Sequence, residues 1–231
     1  MTVTAPDADL MRRLQDLLVS DAVPADGRLP PERDLAARFG VSRARLRHAL
    51  DALADKGTIY RRQGHGTFAA PPVVCGSTAL SRIAREATPQ DVMEVRLEIE
   101  PALAAHAASR ARADDLARLE QMMLATLDQC ERAAYETADD IFHYNIAVAA
   151  KNPLFLEIFG SIRTVRKLAT WSDARRETHT PEVMARFGGQ HRALFEAIAA
   201  RDSAEAARLM ELHLLDVNQT VRRRATEAHP A

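Results

Sequence analysis

The chain is poor in cysteine, in aromatic residues and in net charge. Two of its 231 residues are cysteine, 5% are aromatic, and the formal charge is −1 at pH 7. Cys75 and Cys130 lie far apart and share no CxxC spacing, so they read as free thiols in a reducing cytoplasm rather than a disulfide framework. No run is long and apolar enough to span a bilayer. The opening MTVTAPDADL lacks the basic-then-apolar pattern of a signal peptide. The expected location is cytoplasmic, with no membrane partner. There is no internal repeat and no low-complexity run. What is present is a hydrophobic fraction of 47%, enough at this length to fill the cores of two modest domains.

The clearest pattern runs from Leu29 to Leu50, LPPERDLAARFGVSRARLRHAL. Leu35 and Phe39 stand four apart and share a helix face. Gly40 supplies the backbone freedom of a sharp turn. Val41 can fill the gap between two helices. Ser42 can cap the second, because its hydroxyl accepts from a free backbone amide. That helix puts Leu46, Ala49, Leu50 and Leu53 on one side and Arg43, Arg45, Arg47 and His48 on the other. An arginine-rich amphipathic helix entered through a short turn is the pattern of a helix-turn-helix recognition helix. A solvated basic helix in any small domain shares it.

The flanks favour the first reading. A helix over about Asp9 to Leu18 precedes the motif. Two β-prone runs around Gln63-Gly64-His65-Gly66 follow it and read as a hairpin. Helix, helix-turn-helix and hairpin make a winged helix. From Arg28 to Arg62 nine Lys/Arg stand against four Asp/Glu, a local positive excess in a nearly neutral chain, which suits a phosphate-binding surface.

Residues 9 to 69 resemble the winged helix of the GntR family of bacterial transcription regulators. The resemblance is carried by Gly27, Leu29-Pro30, Glu32-Arg33, Leu35-Ala36, Val41-Ser42-Arg43, Arg47, Ala49-Leu50 and Gly64-His65-Gly66-Thr67-Phe68. It implies a phosphate contact at Arg33 and a recognition helix presenting Ser42, Arg43, Arg45 and Arg47. Arg43 or Arg47 could hold a guanine by its O6 and N7 edge. Gly64 and His65, at the wing tip, would reach the minor groove or backbone. Pro31, His48 and Arg45 depart from the family's usual residues and bear on operator choice.

Ala70 to Ser77 contains two prolines and a glycine and is the best boundary. The chain is therefore divided into a winged helix-turn-helix over 1–70, a linker over 71–88 and a helical domain over 89–226. Ala79 to Glu86 reads as a short helix belonging to the connection. Beyond Pro89 helical spacing predominates: Pro89 to Ser109, Ala113 to Glu131, Tyr135 to Ala150, Pro153 to about Trp171, Pro181 to Ala200 and Ser203 to Arg224. The fold class is mainly α: a winged helix-turn-helix with a small β-hairpin wing, then an all-α antiparallel bundle of six or seven helices.

Four residues of the bundle stand out. Asp139 and His143 are i and i+4, so they project from one helix face. His191 and His213 lie on two later helices. One carboxylate and three imidazoles brought together in a bundle core would suit a divalent transition metal. Spacing alone equally allows satisfied core histidines. Residues 89 to 224 resemble the FCD domain, the helical effector domain of FadR-type GntR regulators. The marks are Glu94-Val95-Arg96, Glu100-Pro101, Asp139-Asp140-Ile141-Phe142-His143, Asn152-Pro153, Gln190-His191-Arg192-Ala193-Leu194 and His213-Leu214. In many members an Asp and three His bind a metal, which implies Asp139, His143, His191 and His213 as ligands. Asp140 points roughly 100° away on a helix, so Asp139 is favoured. Zinc comes first, with nickel, manganese, cobalt or iron as the other choices.

Arg96 reads either as an exposed i,i+4 salt bridge to Glu100 or as a planar fork for an effector carboxylate, and the resemblance favours the fork. Asn145 and Arg163 are weaker effector-binding candidates. The sequence thus points to a non-enzymatic transcription regulator, a repressor, acting as a homodimer on a palindromic double-stranded operator. A small carboxylate effector is expected at the metal. Two rival readings stand beside it: a helical metalloenzyme with an appended winged helix, and a DNA-binding dimer whose helical domain is purely structural.

Overall fold

The computed structural model describes residues 8–18, 23, 28–55, 58–62, 66–69, 78–128, 131–168 and 178–228. Cys75, Cys130, Gly64 and His65 lie outside the described residues. The chain divides into two compact units, Met1–Pro72 and Val73–Ala231.

The first unit holds α1 (Ala8–Leu18), α2 (Glu32–Phe39), α3 (Arg43–Asp55), β1 (Ile59–Arg62) and β2 (Gly66–Ala69). Leu10, Leu14, Leu35, Leu46, Leu50, Leu53 and Ile59 form its core, with Phe39 and Val41 packed against it. The turn between α2 and α3 depends on Gly40, whose φ of 66° and ψ of 33° lie in the left-handed region. There its amide donates to Ala37 O at 3.2 Å and that of Val41 to Ala36 O at 3.1 Å, satisfying carbonyls at the end of α2. Ser42 Oγ accepts from the Arg45 amide at 3.2 Å, which starts α3. Pro31 stands at the start of α2 without a side-chain cap. The wing strands are antiparallel, with Ile59 opposite Ala69 and Arg62 opposite Gly66.

The second unit holds seven helices among the described residues: α4 (Thr78–Glu86), α5 (Pro89–Arg110), α6 (Ala113–Leu127), α7 (Arg132–Ala149), α8 (Pro153–Leu168), α9 (Pro181–Ala199) and α10 (Ser203–Ala228). Three of them start alike, with a polar cap followed by proline. Thr88 Oγ1 accepts from the Asp91 amide at 3.2 Å, while Asp91 takes the Thr88 amide at 2.8 Å. Asn152 Oδ1 accepts from Leu154 and Phe155, and Thr180 Oγ1 from Val183. Proline suits the next position because no intrahelical partner awaits its missing N–H. α6 ends at Leu127, earlier than the expected Glu131, and α7 begins at Arg132 rather than Tyr135. α4, expected in the connection, packs on α8, with Leu80, Ala84 and Ala87 grouped with Ile162 and Val165. Among the described residues no helix is long and apolar enough to cross a membrane.

Candidate metal centre and DNA-contacting surface

α7 presents Asp139 and His143 on one face, α9 brings His191 and α10 brings His213. One ligand atom from each of the four lies within 4.8 Å of the others. The histidines are buried, and Asp139 is partly so.

The outward hydrogen bonds decide where the imidazole protons sit. His143 Nδ1 lies 2.6 Å from Glu100 Oε2, a carboxylate oxygen that can only accept. His213 Nδ1 lies 2.8 Å from Gln190 Oε1, and the same amide donates its Nε2 to Asp216 at 2.8 Å, which fixes its orientation. His191 Nδ1 lies 3.3 Å from Thr126 Oγ1, whose own hydrogen goes to Met123 O at 2.7 Å. All three rings therefore donate outward from Nδ1 and turn Nε2 inward. His191 Nε2 and His213 Nε2 are 3.4 Å apart. Asp139 Oδ1 is 3.4 Å from His191 Nε2 and 3.7 Å from His143 Nε2. His143 Nε2 is buried and has no hydrogen-bond partner. Three converging imidazole nitrogens and a carboxylate form a donor set that fits a divalent transition cation.

The electrostatics agree. Burial, helped by the neighbouring imidazoles, lowers His191 to about 3 and His213 well below its usual value, so both are neutral at ordinary pH. Burial opposes the charge on Asp139, but His143, His191 and Arg166 outweigh it and hold the carboxyl below its usual range. Burial likewise opposes the charge on Glu100, and Arg96 and His143 override it.

Arg96 is buried, not exposed as one sequence reading had it. Its Nε donates to Glu100 Oε1 at 2.5 Å, so the i,i+4 pair exists, but inside the bundle. Arg96 also lines a cavity of about 20 Å³ beside the cluster, with Asp139, Arg166, His179, His213 and Thr220. The other two effector candidates are placed elsewhere. Asn145 donates to Ile141 O of its own helix at 2.8 Å. Arg163 grips Asp140 with two bonds, of 2.8 and 2.6 Å, and its guanidinium lies over the Tyr144 ring. Neither lines the cavity. Asp140 is thus engaged with α8, where Lys167 Nζ also lies 3.1 Å away. Burial works against its charge, and Arg163 and Lys167 lower it to about 2.

Sequence reasoning missed Arg166, Glu136, Thr178 and His179 at the cavity and Thr126 behind His191. Arg166 could have been found, since Arg163, Arg166 and Lys167 form a cationic cluster in the last turns of their helix. The others bear no local signal.

In the first unit Arg33, Ser42, Arg43, Arg45 and Arg47 are all exposed. Ser42 caps α3. Arg33 pairs with Asp34 at 3.1 Å, and Arg47 lies 3.4 Å from Glu32.

Comparison with known proteins decides the family. Residues 7–69 match the model of the gntR family of bacterial regulatory proteins, and residues 91–216 match that of the FCD domain. The chain belongs to the GntR family and carries an FCD domain. A protein of Escherichia coli named "Putative L-lactate dehydrogenase operon regulatory protein" is 32% identical over 219 residues, covering 91% of this chain and 84% of that relative. The Escherichia coli "HTH-type transcriptional repressor NanR" is 31% identical over 207 residues, covering 83% and 75%. Among solved structures, Escherichia coli McbR/YncC aligns at a TM-score of 0.51 and 17% identity over 96% of this chain and all of that one, a likeness of fold. This GntR-family member is a DNA-binding transcription regulator with an effector-binding domain, not an enzyme.

Proposed function

We propose that the protein is a cytoplasmic, homodimeric repressor whose affinity for a palindromic operator is controlled by a small organic acid bound at a metal-containing site in the helical domain. The observation that carries this reading is the convergence of three imidazole Nε2 atoms and the Asp139 carboxylate, each ring held outward by a separate partner. Asp139, His143, His191 and His213 would hold a divalent transition ion, zinc first, with nickel, manganese, cobalt or iron as alternatives. The ion would supply Lewis acidity towards a carboxylate. Arg96 and Arg166 at the adjoining cavity favour the same anionic class. The names of the relatives support both halves: one is called a repressor, another is named for an L-lactate dehydrogenase operon.

The DNA-facing residues are Arg33, Ser42, Arg43, Arg45 and Arg47, with Gly64 and His65 as further contacts. Homodimerisation follows from the palindrome, since two recognition helices one DNA turn apart read it far better than one. Effector binding shifts operator affinity only by its differential affinity for the two states of the protein.

The test is elemental analysis of protein purified without chelator, wild type beside His191→Ala. It is followed by operator titration of the metal-loaded wild type with and without a panel of small carboxylates. Near-stoichiometric metal in the wild type, lost in the variant, and an operator affinity that responds to a carboxylate are the expected results. Absence of metal from the wild type sinks the metal site. Equal metal in both proteins sinks the ligand assignment.

A further inference from the structure

Glu100 touches both halves of the site. Its Oε1 takes Arg96 Nε at 2.5 Å, and its Oε2 takes Arg96 Nη2 at 3.4 Å and His143 Nδ1 at 2.6 Å. Arg96, Glu100 and His143 are all buried, so no bulk water dilutes these contacts. Among the described residues the carboxylate has no other hydrogen-bond partner. Its charge is divided between one guanidinium that lines the cavity and one imidazole whose far nitrogen faces the ligand cluster.

We infer that Glu100 is a positioning residue that couples carboxylate capture at Arg96 to cation capture at His143, an inference that rests on the ligand-responsive reading above. A carboxylate entering the cavity competes with Glu100 for the donors of Arg96. Glu100 then spends more of its charge on His143 Nδ1–H, and the ring becomes a stronger donor from Nε2. By reciprocity, a cation held at Nε2 draws Glu100 towards His143 and loosens its hold on Arg96. The two capture events strengthen each other through one buried acid. A merely structural ion pair makes a different prediction: losing either partner would loosen the bundle and weaken cation binding alike.

The experiment measures cobalt(II) affinity of the full-length protein by chelator competition, with cobalt alone as the probe. Four proteins are compared: wild type, Glu100→Gln, Arg96→Gln and Arg166→Gln. Glu100→Gln is expected to bind cobalt about 10- to 100-fold more weakly. Arg96→Gln is expected to bind it more tightly, and by a larger factor than Arg166→Gln. Both substitutions remove a cation from the same cavity, but only Arg96 is a partner of Glu100. Unchanged affinity in Glu100→Gln overturns the coupling, and so does an Arg96→Gln no tighter than Arg166→Gln. A wild type that binds no cobalt overturns the metal reading itself, a distinct failure. If Glu100→Gln does not fold, the two arginine variants decide. The ring-nitrogen NMR spectrum of the metal-free wild type adds a mutation-free check: the coupling requires the His143 proton on Nδ1, and a proton on Nε2 alone overturns it.

Discussion

His191 and His213 face each other through Nε2 at 3.4 Å, each with its other ring nitrogen committed as a donor to a neighbour behind it. Two imidazole lone pairs so close, in a pocket that excludes bulk water, repel one another. The arrangement is stable because the surrounding helices hold it, and it is relieved by a cation. The pair therefore reports on the site in ways that can be measured without knowing the effector.

The first consequence concerns pH. Burial, the leading cause, takes His191 from 6.5 to about 3 and His213 well below 6.5. Between those limits the unfolded chain binds more protons than the folded one, so stability rises with pH there and is lost as pH falls. Each such histidine contributes a slope of about 1.4 kcal/mol per pH unit within its window. Urea unfolding of chelator-treated protein should show a clear loss of stability from about pH 7 to about pH 5. A flat profile over that range means that the two rings are not buried as neutral groups.

Among the described residues Gln190 bonds to His213 and Asp216. Gln190→Ala should weaken metal binding by about 10- to 100-fold, because the outer partner of a ligating histidine sets its orientation. Competition with a chelator reads this directly. Unaltered affinity would show that the His213 ring is held by packing against Phe187 instead.

Neighbouring acids on α7 should give opposite phenotypes. Asp140→Ala leaves Arg163 buried without its carboxylate and should destabilise the protein by about 3–5 kcal/mol, with metal still bound. Asp139→Ala should lose the metal. Paired measurements of unfolding and metal content separate the two, and an Asp140→Ala that loses metal before it loses stability would reverse the assignment.

A Cβ at Gly40 meets nothing within 4 Å, so Gly40→Ala tests the backbone alone. At a φ of 66° the cost should be about 1–2 kcal/mol, visible in urea unfolding of the first unit. A neutral substitution would mean that α2 and α3 can join without the left-handed turn.

On the DNA side, Arg47→Ala should cost about 1–3 kcal/mol and relax specificity at one base pair if its guanidinium reads guanine. Arg33→Ala should weaken all duplexes alike and lower the salt slope by about one. Fluorescence anisotropy with matched and scrambled duplexes at two salt concentrations checks both. Specific loss in Arg33→Ala with uniform loss in Arg47→Ala would exchange their roles.

The winged helix was legible because its signals are local: a glycine turn, a hydroxyl cap and arginines on one side of a short helix. The helix starts at Pro89, Pro153 and Pro181 were equally visible. The four candidate ligands could be named from residue type and resemblance, but not their state of protonation. That depends on Thr126, Gln190 and Glu100, each on a different helix from the ring it holds. The two readings of Arg96 could not be separated from the residues alone for a similar reason. Flanked by Glu94, Glu98 and Glu100, it looks solvated, and only the packing of α5 against α7 and α10 turns it inward. Arg163 was assigned to the cavity from its helix, whereas its partner Asp140 could be recognised only once α7 and α8 were seen side by side.

Asp139 and Asp140 are successive residues on α7, separated by about 100° around the helix. One looks into the histidine cluster and the other into the arginine of α8. α7 is thereby keyed like a shaft with two slots. It cannot turn about its own axis without breaking both sets of buried contacts, and sliding along that axis drags α8 through Arg163 and Lys167. Of the ways a helix can move within a bundle, α7 keeps only those in which it travels together with a neighbour.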